Sequence, residues 1–425
     1  MALRRALAIG AALVVAGASA LRAQETLRAV WGSGPADIWA AGNARAALHF
    51  DGRAWTEVPY GVEIPGDIAA LWGSGPTDVF AAGEGGAILH WDGRAWSRMA
   101  APTERQIVAL GGRSAREVYA LAQSYSDREA PTVLRYDGRA WTVTPLPLPF
   151  RANAMALSAT SLLVAGFAMN DPTPGERRTM GVLARRLGLR WVMSGWNGRA
   201  VTDRVLAGTG WNAVGAAGAT VLLTGERDDG SRVLAISRGG AFTLLPAVPT
   251  TSGSQVSTAF LASDGVPVAF LSGTGLARYI GGAWAASDPT VSAAGQNAQV
   301  MQAAQQMQQL AQQGGMTPQT AQQLQQLQQV YQNALAQDPL AYAAQAAAWG
   351  DLGNARAAWG SSTDFYAVTE NGRIIRVQAA EARIVYDASC ANPQMAAMSP
   401  ICQGLQPRGP RPPLPMPSVR TKPRP

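Results

Sequence analysis

The two histidines of the chain, His49 and His90, are the side chains best suited to acid–base or metal chemistry, because imidazole titrates near neutral pH and binds transition metals. Both occupy the same place in two similar stretches of sequence, and Arg135 takes that place in the next stretch. A metal site needs ligands that converge, whereas equivalent positions of neighbouring repeats face alike. We therefore interpret both histidines as framework residues, and we predict neither a metal site nor a cofactor.

Carboxylates and tryptophans recur in the same way. Three aspartates follow an equivalent turn, and we expect each to accept N–H bonds of that turn rather than to act as an acid. These aspartates are Asp37, Asp78 and Asp364. The tryptophans that repeat likewise, and that we expect to pack, are Trp31, Trp72 and Trp359. No Ser-His-Asp set, Walker loop or dinucleotide fingerprint is present in the sequence, so no catalytic residue is predicted.

A repeated unit must position these side chains. Residues 30–58 and 71–99 are two copies of it, offset by 41 residues, and each contains four short apolar stretches separated by turn residues. Asp51-Gly52 and Asp92-Gly93 are typical two-residue hairpin turns. Four-stranded units that repeat at this interval are typical of a β-propeller, since one such sheet cannot bury both of its faces.

The number of blades follows from a glycine expected between the third and fourth strands. That glycine is Gly52, Gly93, Gly138, Gly198, Gly240 and Gly282 in the first six blades. The sequence therefore predicts an all-β, seven-bladed propeller over residues 25–388, with six or eight blades as alternatives. The wide interval before Gly198 predicts a large loop in blade four. Residues 27–30 and 384–386 should meet where the ring closes.

The motifs WGSGPxD and HWDGxxW resemble the repeats of bacterial Kelch-like and sialidase-like propeller proteins. They are similar, more loosely, to those of assembly-factor propellers of photosynthetic bacteria. The resemblance covers residues 30–99 and 358–368. It implies a propeller with a binding or scaffolding role, and it transfers no catalytic residues. Asp51 and Gly52 are adjacent, which departs from the Ser-x-Asp-x-Gly-x-x-Trp box of sialidases.

Residues 289–353 interrupt the repeat. Of the 42 residues from 296 to 337, 18 are glutamine, and apolar residues recur with the heptad-like spacing of a coiled coil. Thr317-Pro318 and Asp338-Pro339 are helix-start signals. We predict a Gln-rich helical hairpin followed by a short helix through Trp349, inserted between the last two blades. A disordered Gln-rich loop is the alternative.

The first 24 residues predict an export signal, with Arg4 and Arg5 before an apolar stretch and a small-residue cleavage site at 18–20. An uncleaved anchor is the alternative, and no other membrane span is predicted. The protein should therefore be periplasmic or secreted. The formal charge is +7, but three arginines lie in the signal and five basic residues lie beyond residue 404, so the body is near neutral. A nucleic-acid partner is not expected.

The only cysteines, Cys390 and Cys402, would close a short loop in an exported protein, so we predict a disulfide within residues 389–404. Residues 405–425 form a Pro- and Arg-rich tail, for which we predict disorder with a preference for polyproline II.

The residues that do not repeat indicate a binding surface. In a four-stranded antiparallel blade, the second-to-third-strand loops and the blade-to-blade connections emerge on one face. Loops on that face carry the predicted binding residues Tyr125, Asp127, Arg128, Asn170, Asp171, Arg177, Arg178, Asp228 and Asp229. The competing interpretation is that the sequences of these loops have drifted because loops tolerate change, without any binding role.

The leading hypothesis is a non-enzymatic, exported propeller that binds or scaffolds another protein through this face. Binding of a cell-envelope glycan is the alternative, and a glycoside hydrolase or lyase, which needs two close carboxylates, is a third. The oligomeric state is not indicated by the sequence.

Overall fold

The chain folds into seven four-stranded antiparallel sheets. The computed structural model describes residues 26–43, 46–123, 129–170, 178–195, 198–250, 255–272, 275–287, 323, 326–327, 347–379, 381–391 and 399–405. In every sheet the four strands are consecutive in the chain, and the innermost strand comes first. The predicted all-β, seven-bladed architecture is confirmed.

The strands of the first four blades alternate with short turns. Blade one consists of β1 (Leu27–Gly34), β2 (Asp37–Gly42), β3 (Ala46–Phe50) and β4 (Trp55–Pro59). Blade two consists of β5 (Ile68–Gly75), β6 (Asp78–Gly83), β7 (Ile88–Trp91) and β8 (Trp96–Arg98). Blade three consists of β9 (Ile107–Ser114), β10 (Glu117–Ala122), β11 (Thr132–Tyr136) and β12 (Trp141–Pro145). Blade four consists of β13 (Arg151–Leu157), β14 (Leu162–Asn170), β15 (Arg178–Leu187) and β16 (Arg190–Gly195).

The remaining blades follow the same order. Blade five consists of β17 (Gly210–Ala217), β18 (Thr220–Glu226), β19 (Arg232–Arg238) and β20 (Thr243–Leu244). Blade six consists of β21 (Val256–Leu261), β22 (Pro267–Leu271), β23 (Gly275–Ile280) and β24 (Ala283–Ser287). Blade seven consists of β25 (Ala355–Gly360), β26 (Asp364–Thr369), β27 (Arg373–Gln378) and β28 (Glu381–Asp387). Short helices are α1 (Arg204–Ala207), α2 (347–352) and α3 (Pro400–Leu405), and 3-10 turns occupy Glu84–Gly86 and Ala388–Ala391.

The inner strands β1, β5, β9, β13, β17, β21 and β25 each contact the next one around the ring, and β25 contacts β1. The ring is therefore closed. The strand ladders stay within the blades, so closure depends on side chains. The predicted meeting of the first and last strands is confirmed, because Leu27 and Val30 share an apolar cluster with Val385 and Tyr386.

Tryptophan-on-glycine packing joins the inner strands of adjacent blades. A Cβ built on Gly73 would lie 2.6 Å from the Trp31 ring, and one on Gly112 would lie 2.5 Å from the Trp72 ring. The same contact closes the ring, since a Cβ on Gly32 would lie 2.9 Å from the Trp359 ring. Only glycine leaves room for the neighbouring indole, which explains why Trp-Gly recurs in the strong repeats.

A second contact joins the outer strands. The aromatic residue of one blade's second strand lies edge-to-face against the first tryptophan of the next blade's fourth strand. The ring centroids are 5.4 Å apart for Trp39 and Trp96, 6.3 Å for Phe80 and Trp141, and 6.2 Å for Tyr366 and Trp55. Since Tyr366 belongs to blade seven and Trp55 to blade one, the closing interface is built like the others.

The Asp-Gly sequences lie in the turns between third and fourth strands, but they are not the predicted two-residue hairpins. Phe50 pairs with Trp55 and Trp91 with Trp96, so four residues separate the strands. Gly52, Gly93 and Gly138 have φ values of 89°, 92° and 93°. The carboxylate of Asp92 accepts hydrogen bonds from the backbone N–H groups of Ala95 and Arg94, which lower its pKa below the usual value, and Asp51 and Asp137 are bound in the same way. These aspartates therefore stabilise the turns through side-chain-to-backbone hydrogen bonds.

Blade four differs from the prediction. The sequence N-G-R-A at 197–200 was predicted to join its third and fourth strands, but β15 and β16 are joined at Gly188 and Leu189, with Leu187 paired to Arg190. Gly198 lies beyond β16, in the connection to blade five. The wide interval between Gly138 and Gly198 therefore contains the predicted loop between β14 and β15 and also the first part of the connection from β16 to β17.

Several predictions concern residues outside the described ranges: the export signal, the Gln-rich hairpin up to residue 346, and the tail from residue 406. Residues 347–349, the end of the predicted short helix, are helical, and the helix continues to Leu352. The Gln-rich helical hairpin itself is not confirmed. Within the described ranges, no helix has both the length and the apolar composition needed to cross a membrane.

The Trp-Gly contact predicts that Gly73→Ala destabilises the protein by roughly 1–3 kcal/mol, because the new methyl group would overlap the Trp31 ring and the Asp78 carbonyl oxygen. Gly75→Ala, two residues along the same strand, is the matched control, since a Cβ there meets nothing within 4 Å. Urea unfolding of both variants measures the difference. Equal midpoints for the two variants would contradict the packing role of Gly73.

Candidate functional site

The histidines lie in a small polar network at the turns between strands. His49 Nε2 is 2.6 Å from Asp37 Oδ1, and the Ser33 hydroxyl donates to the other carboxylate oxygen. In blade two, His90 Nε2 is 2.7 Å from Asp78 Oδ1, with Ser74 in the role of Ser33. In a nucleophilic triad the imidazole lies between serine and aspartate. Here the aspartate lies between the other two, so the hydroxyl donates to the carboxylate and not to the imidazole.

Aromatic rings also contact the side chains of this network. The His49 ring stacks on Trp39 at 4.1 Å, and the Arg376 guanidinium of blade seven lies 5.2 Å from the Tyr366 ring while it hydrogen-bonds Asp364. A cationic or imidazole side chain thus spans an aromatic ring and a carboxylate in each of these blades. The arrangement supports the interpretation of the histidines as framework residues, although it shows the aspartates accepting from side chains rather than from turn N–H groups.

Among the described residues, one group of three metal-ligating side chain types comes together: Asp387, Cys390 and Cys402. The two sulfurs are bonded to each other, so neither is a thiolate ligand. The predicted disulfide is confirmed. It joins the 3-10 turn after β28 to α3, which packs on β28.

We call the loop face the side of the ring where the described strands that flank residues 123–131, 171–177, 227–231 and 288–354 end. The first three segments connect second to third strands in blades three, four and five, and the fourth connects blade six to blade seven. Because each follows an even-numbered strand, the described ends of all four segments emerge on the same side of the ring. The predicted common face is therefore confirmed for these ends.

Four of the nine predicted binding residues are described. Asp228 and Asp229 are exposed between β18 and β19, and the Asp228 carboxylate accepts a hydrogen bond of 3.4 Å from Thr179 N. That bond brings the loops of blades four and five together. Asn170 ends β14 and pairs across the ladder with Arg178 at the start of β15. The other five lie outside the described residues: Tyr125, Asp127, Arg128, Asp171 and Arg177.

The insertion returns to the propeller at α2. Trp349 and Leu352 are buried between blades six and seven, and Asp351 pairs with Arg373, which also donates to Asp387 at 2.8 Å. The loop of blade three is anchored by a weaker contact, because the exposed ion pair between Glu129 and Arg105 spans 2.9 Å. The loop face is thus fixed to the scaffold at several points.

A second candidate site, which the sequence did not predict, is a groove of about 750 Å³ between the outer strands of blades seven and one. We call it the seam groove. Its aromatic lining comprises Phe50, Trp55, Tyr366 and Tyr386. Charged side chains along it are Arg53, Glu57, Arg376, Arg383 and Asp387, and Cys390 and Leu405 lie at its end.

Among the described residues, no segment covers this interface in the way that segments cover the interfaces between blades one and two and between blades two and three. The connection after β4 places Tyr60 5.7 Å from the Trp96 ring, and Trp96 is 4% exposed. The connection after β8 packs Met99 beside Trp141 in one cluster. Trp55 is the equivalent residue at the seam, and it is only partly buried. The described segment after β28 instead turns back, where the disulfide and α3 hold it against blade seven.

A smaller cavity of about 340 Å³ lies between the inner strands of blades five, six and seven. Arg356 is the charged residue in its described lining, and it pairs with Glu370. Two close carboxylates, as glycoside hydrolysis requires, are not found in that lining. The prediction that the protein is not an enzyme remains a prediction.

Solved propellers resemble this chain at low identity. They include YCF48 bound to D1 peptide (9% identity, TM-score 0.49, 84% of this chain and 93% of that one) and the WD40 propeller domain of Doa1 (9%, 0.43, 63% and 83%). An ancestral GH74 enzyme is also similar (9%, 0.45, 62% and 38%). No protein-family model and no curated protein matches the chain. These are resemblances of architecture alone.

The polar network predicts that the double variant His49→Ala/His90→Ala loses stability, by about 1 kcal/mol per hydrogen bond removed, and binds zinc no differently from the parent. Arg53→Ala/Arg94→Ala, in the exposed turns of the same blades, is the control and should leave stability unchanged. Urea unfolding and zinc titration calorimetry provide the two readouts. Zinc binding that disappears with the histidines would identify them as ligands instead.

Proposed function

We propose that the protein is an exported, non-enzymatic propeller that binds or scaffolds another protein through the loop face. The observation that carries this proposal is the common emergence of the long loops and both ends of the insertion on one side of the ring. The opposite side consists largely of short turns such as those at Gly52 and Gly93. Elaborated loops on a rigid scaffold are where binding residues concentrate.

The chemistry of the described loop-face residues suits a protein partner. The tip between β18 and β19 presents Asp228 and Asp229, and beside it Glu226 and Arg232 form an exposed ion pair of 3.3 Å. Exposed charges of both signs steer association and fix the register of a complex. A surface assembled from separate blades also offers the breadth of a protein interface rather than a pocket for a small molecule.

Two alternatives have weaker support. Glycan binding would use Tyr125 and Arg128, which lie outside the described residues. A hydrolase would need paired carboxylates, which the described cavity lining does not supply. We assign the repeats to the Kelch-like and sialidase-like type on the motifs WGSGPxD and HWDGxxW.

Export is supported by the disulfide, because disulfides persist in oxidising compartments and are rare in the cytosol. We therefore propose a periplasmic or secreted location. Mass spectrometry of the protein from its producing cells should find a chain that starts after Ala20 or after Ala23, with Cys390 and Cys402 oxidised. A full-length N-terminus with both thiols reduced would contradict export.

The partner surface can be tested by placing a photo-crosslinking amino acid at Asp229 or Arg232 on the loop face, and at Arg94 or Arg139 on the opposite face. We expect one protein adduct from the first pair only, because Arg94 and Arg139 lie in the short turns between third and fourth strands. A second variant replaces residues 289–346 with a Gly/Ser linker and should lose the adduct. Trp349 and Leu352 are retained because both are buried in the core.

Circular dichroism establishes that the replaced chain is still folded. Equal capture by the parent and by the replaced variant would mean that the insertion is a tolerated elaboration without a binding role. Adducts from both faces would contradict a single binding face.

A further inference from the structure

The seam groove has the aromatic contact that characterises other blade interfaces. It has the edge-to-face pair of Tyr366 and Trp55, as other interfaces have Trp39 with Trp96 or Phe80 with Trp141. Trp96 and Trp141 are 4% and 6% exposed, whereas Trp55 is only partly buried. Among the described residues, no extended segment lies across Trp55 in the way that connecting segments cover Trp96 and Trp141.

The molecule contains a covering segment of distinctive sequence at another interface. The connection from blade three to blade four reads Pro-Leu-Pro-Leu-Pro-Phe from 145 to 150. Leu146 and Phe150 are buried at 3% and 0% exposure, in a cluster with Tyr119 of blade three and Met155 of blade four. Proline suits such a segment, because it holds the chain extended and has no N–H group that would need a partner in the groove.

The tail repeats that pattern. Residues 413–417 read Pro-Leu-Pro-Met-Pro, which places Leu414 and Met416 where the covering segment has Leu146 and Leu148. The tail also starts at the right place, because Leu405 lines the seam groove. The eight residues from Leu405 to Pro413 reach about 25 Å as polyproline II. The seven residues of β28 along the groove span roughly 20 Å.

We propose that residues 406–425 bind in the seam groove of their own chain, with Leu414 and Met416 on the aromatic lining formed by Phe50, Trp55 and Tyr386. The tail thereby supplies the cover that blade-to-blade connections supply elsewhere. Pro-rich segments dock in aromatic-lined grooves in this way at a small entropic cost. None of the segments that define the loop face contributes to the described lining of the seam groove, so the proposal does not depend on the proposed function.

Charge does not drive this binding. The tail is basic, yet the groove carries Arg376 and Arg383, which pair with Asp364 and Glu381 at 3.0 Å and 2.7 Å. An apolar interaction should therefore persist at 0.5 M salt, where the Debye length falls to about 4–5 Å.

Hydrogen exchange of the full-length chain tests the proposal. Amides of β4 and β28 should exchange at least about fivefold faster in Leu414→Asp/Met416→Asp than in the parent, since two buried apolar contacts are lost. The control Ser418→Asp/Thr421→Asp adds the same charge outside the Pro-Leu-Pro-Met-Pro segment and should exchange like the parent. None of these four positions belongs to the described propeller, so we expect the substitutions to leave the propeller folded.

A synthetic peptide of residues 406–425 provides the second measurement. It should bind a chain ending at Leu405, bind that chain at least about tenfold more weakly when Trp55 is replaced by Ala, and fail to bind the full-length protein. Parent-like exchange in Leu414→Asp/Met416→Asp would overturn the proposal. Protection that grows with protein concentration would also overturn it, because the tail would then occupy the groove of a second copy.

Discussion

Packing of aromatic side chains across blade interfaces is the interaction on which the closure of the ring depends. Every sheet uses four consecutive strands, so no strand ladder joins one blade to another, and only isolated backbone bonds such as Ser263 N to Gly360 O at 2.9 Å cross an interface. A buried tryptophan removes roughly 150–250 Å² from water. At about 25 cal/mol per Å² that is on the order of 4–6 kcal/mol, comparable with the net stability of a whole domain.

The need for side-chain packing between blades explains both how the ring closes and why the seam groove is present. The contacts of Trp359 with Gly32 and of Tyr366 with Trp55 make the closing interface equivalent to the internal ones. Equivalent packing needs equivalent cover, and the described chain provides that cover only where one blade continues into the next. The seam groove is thus a consequence of closing a ring with side chains instead of a shared strand.

The sequence predicts most where packing dictates residue type. Trp-Gly identified blades one, two and seven, and Asp-Gly identified blades one, two and three. Glycine is required at Gly32 and Gly73 by the neighbouring indole and at Gly52, Gly93 and Gly138 by the positive φ of the turn. Gly198 has a φ of 89°, the same as Gly52, so its local turn signal was read correctly. The hairpin nonetheless formed ten residues earlier, at Gly188, since local conformation does not determine which strands pair.

The candidate sites were predictable to different degrees for the same reason. Strand alternation alone places Asp228 on the same side of the ring as the ends of the insertion, so topology sufficed. The disulfide followed from two cysteines close in sequence. The contact of Tyr386 with blade one followed from the predicted closure of the ring, whereas the groove beside Phe50 did not, because no linear pattern indicates how much of an interface the connecting segments cover.

The blades that lost the repeat motif are held by different contacts, and these lie in the half of the ring that carries most of the loop face. Asn153 donates to the Trp211 carbonyl at 2.9 Å, and the buried Arg278 donates to the Ser362 carbonyl at 2.6 Å. Burial would raise the pKa of Asp264, but the hydrogen bonds from Ser362 outweigh it, so the pKa is lowered and the carboxylate stays charged near Arg278. Polar links of this kind depend on exact geometry more than aromatic packing does. The loops of blades four and five, and the insertion before blade seven, are therefore attached to interfaces that tolerate little sliding, which suits the binding role proposed for the loop face.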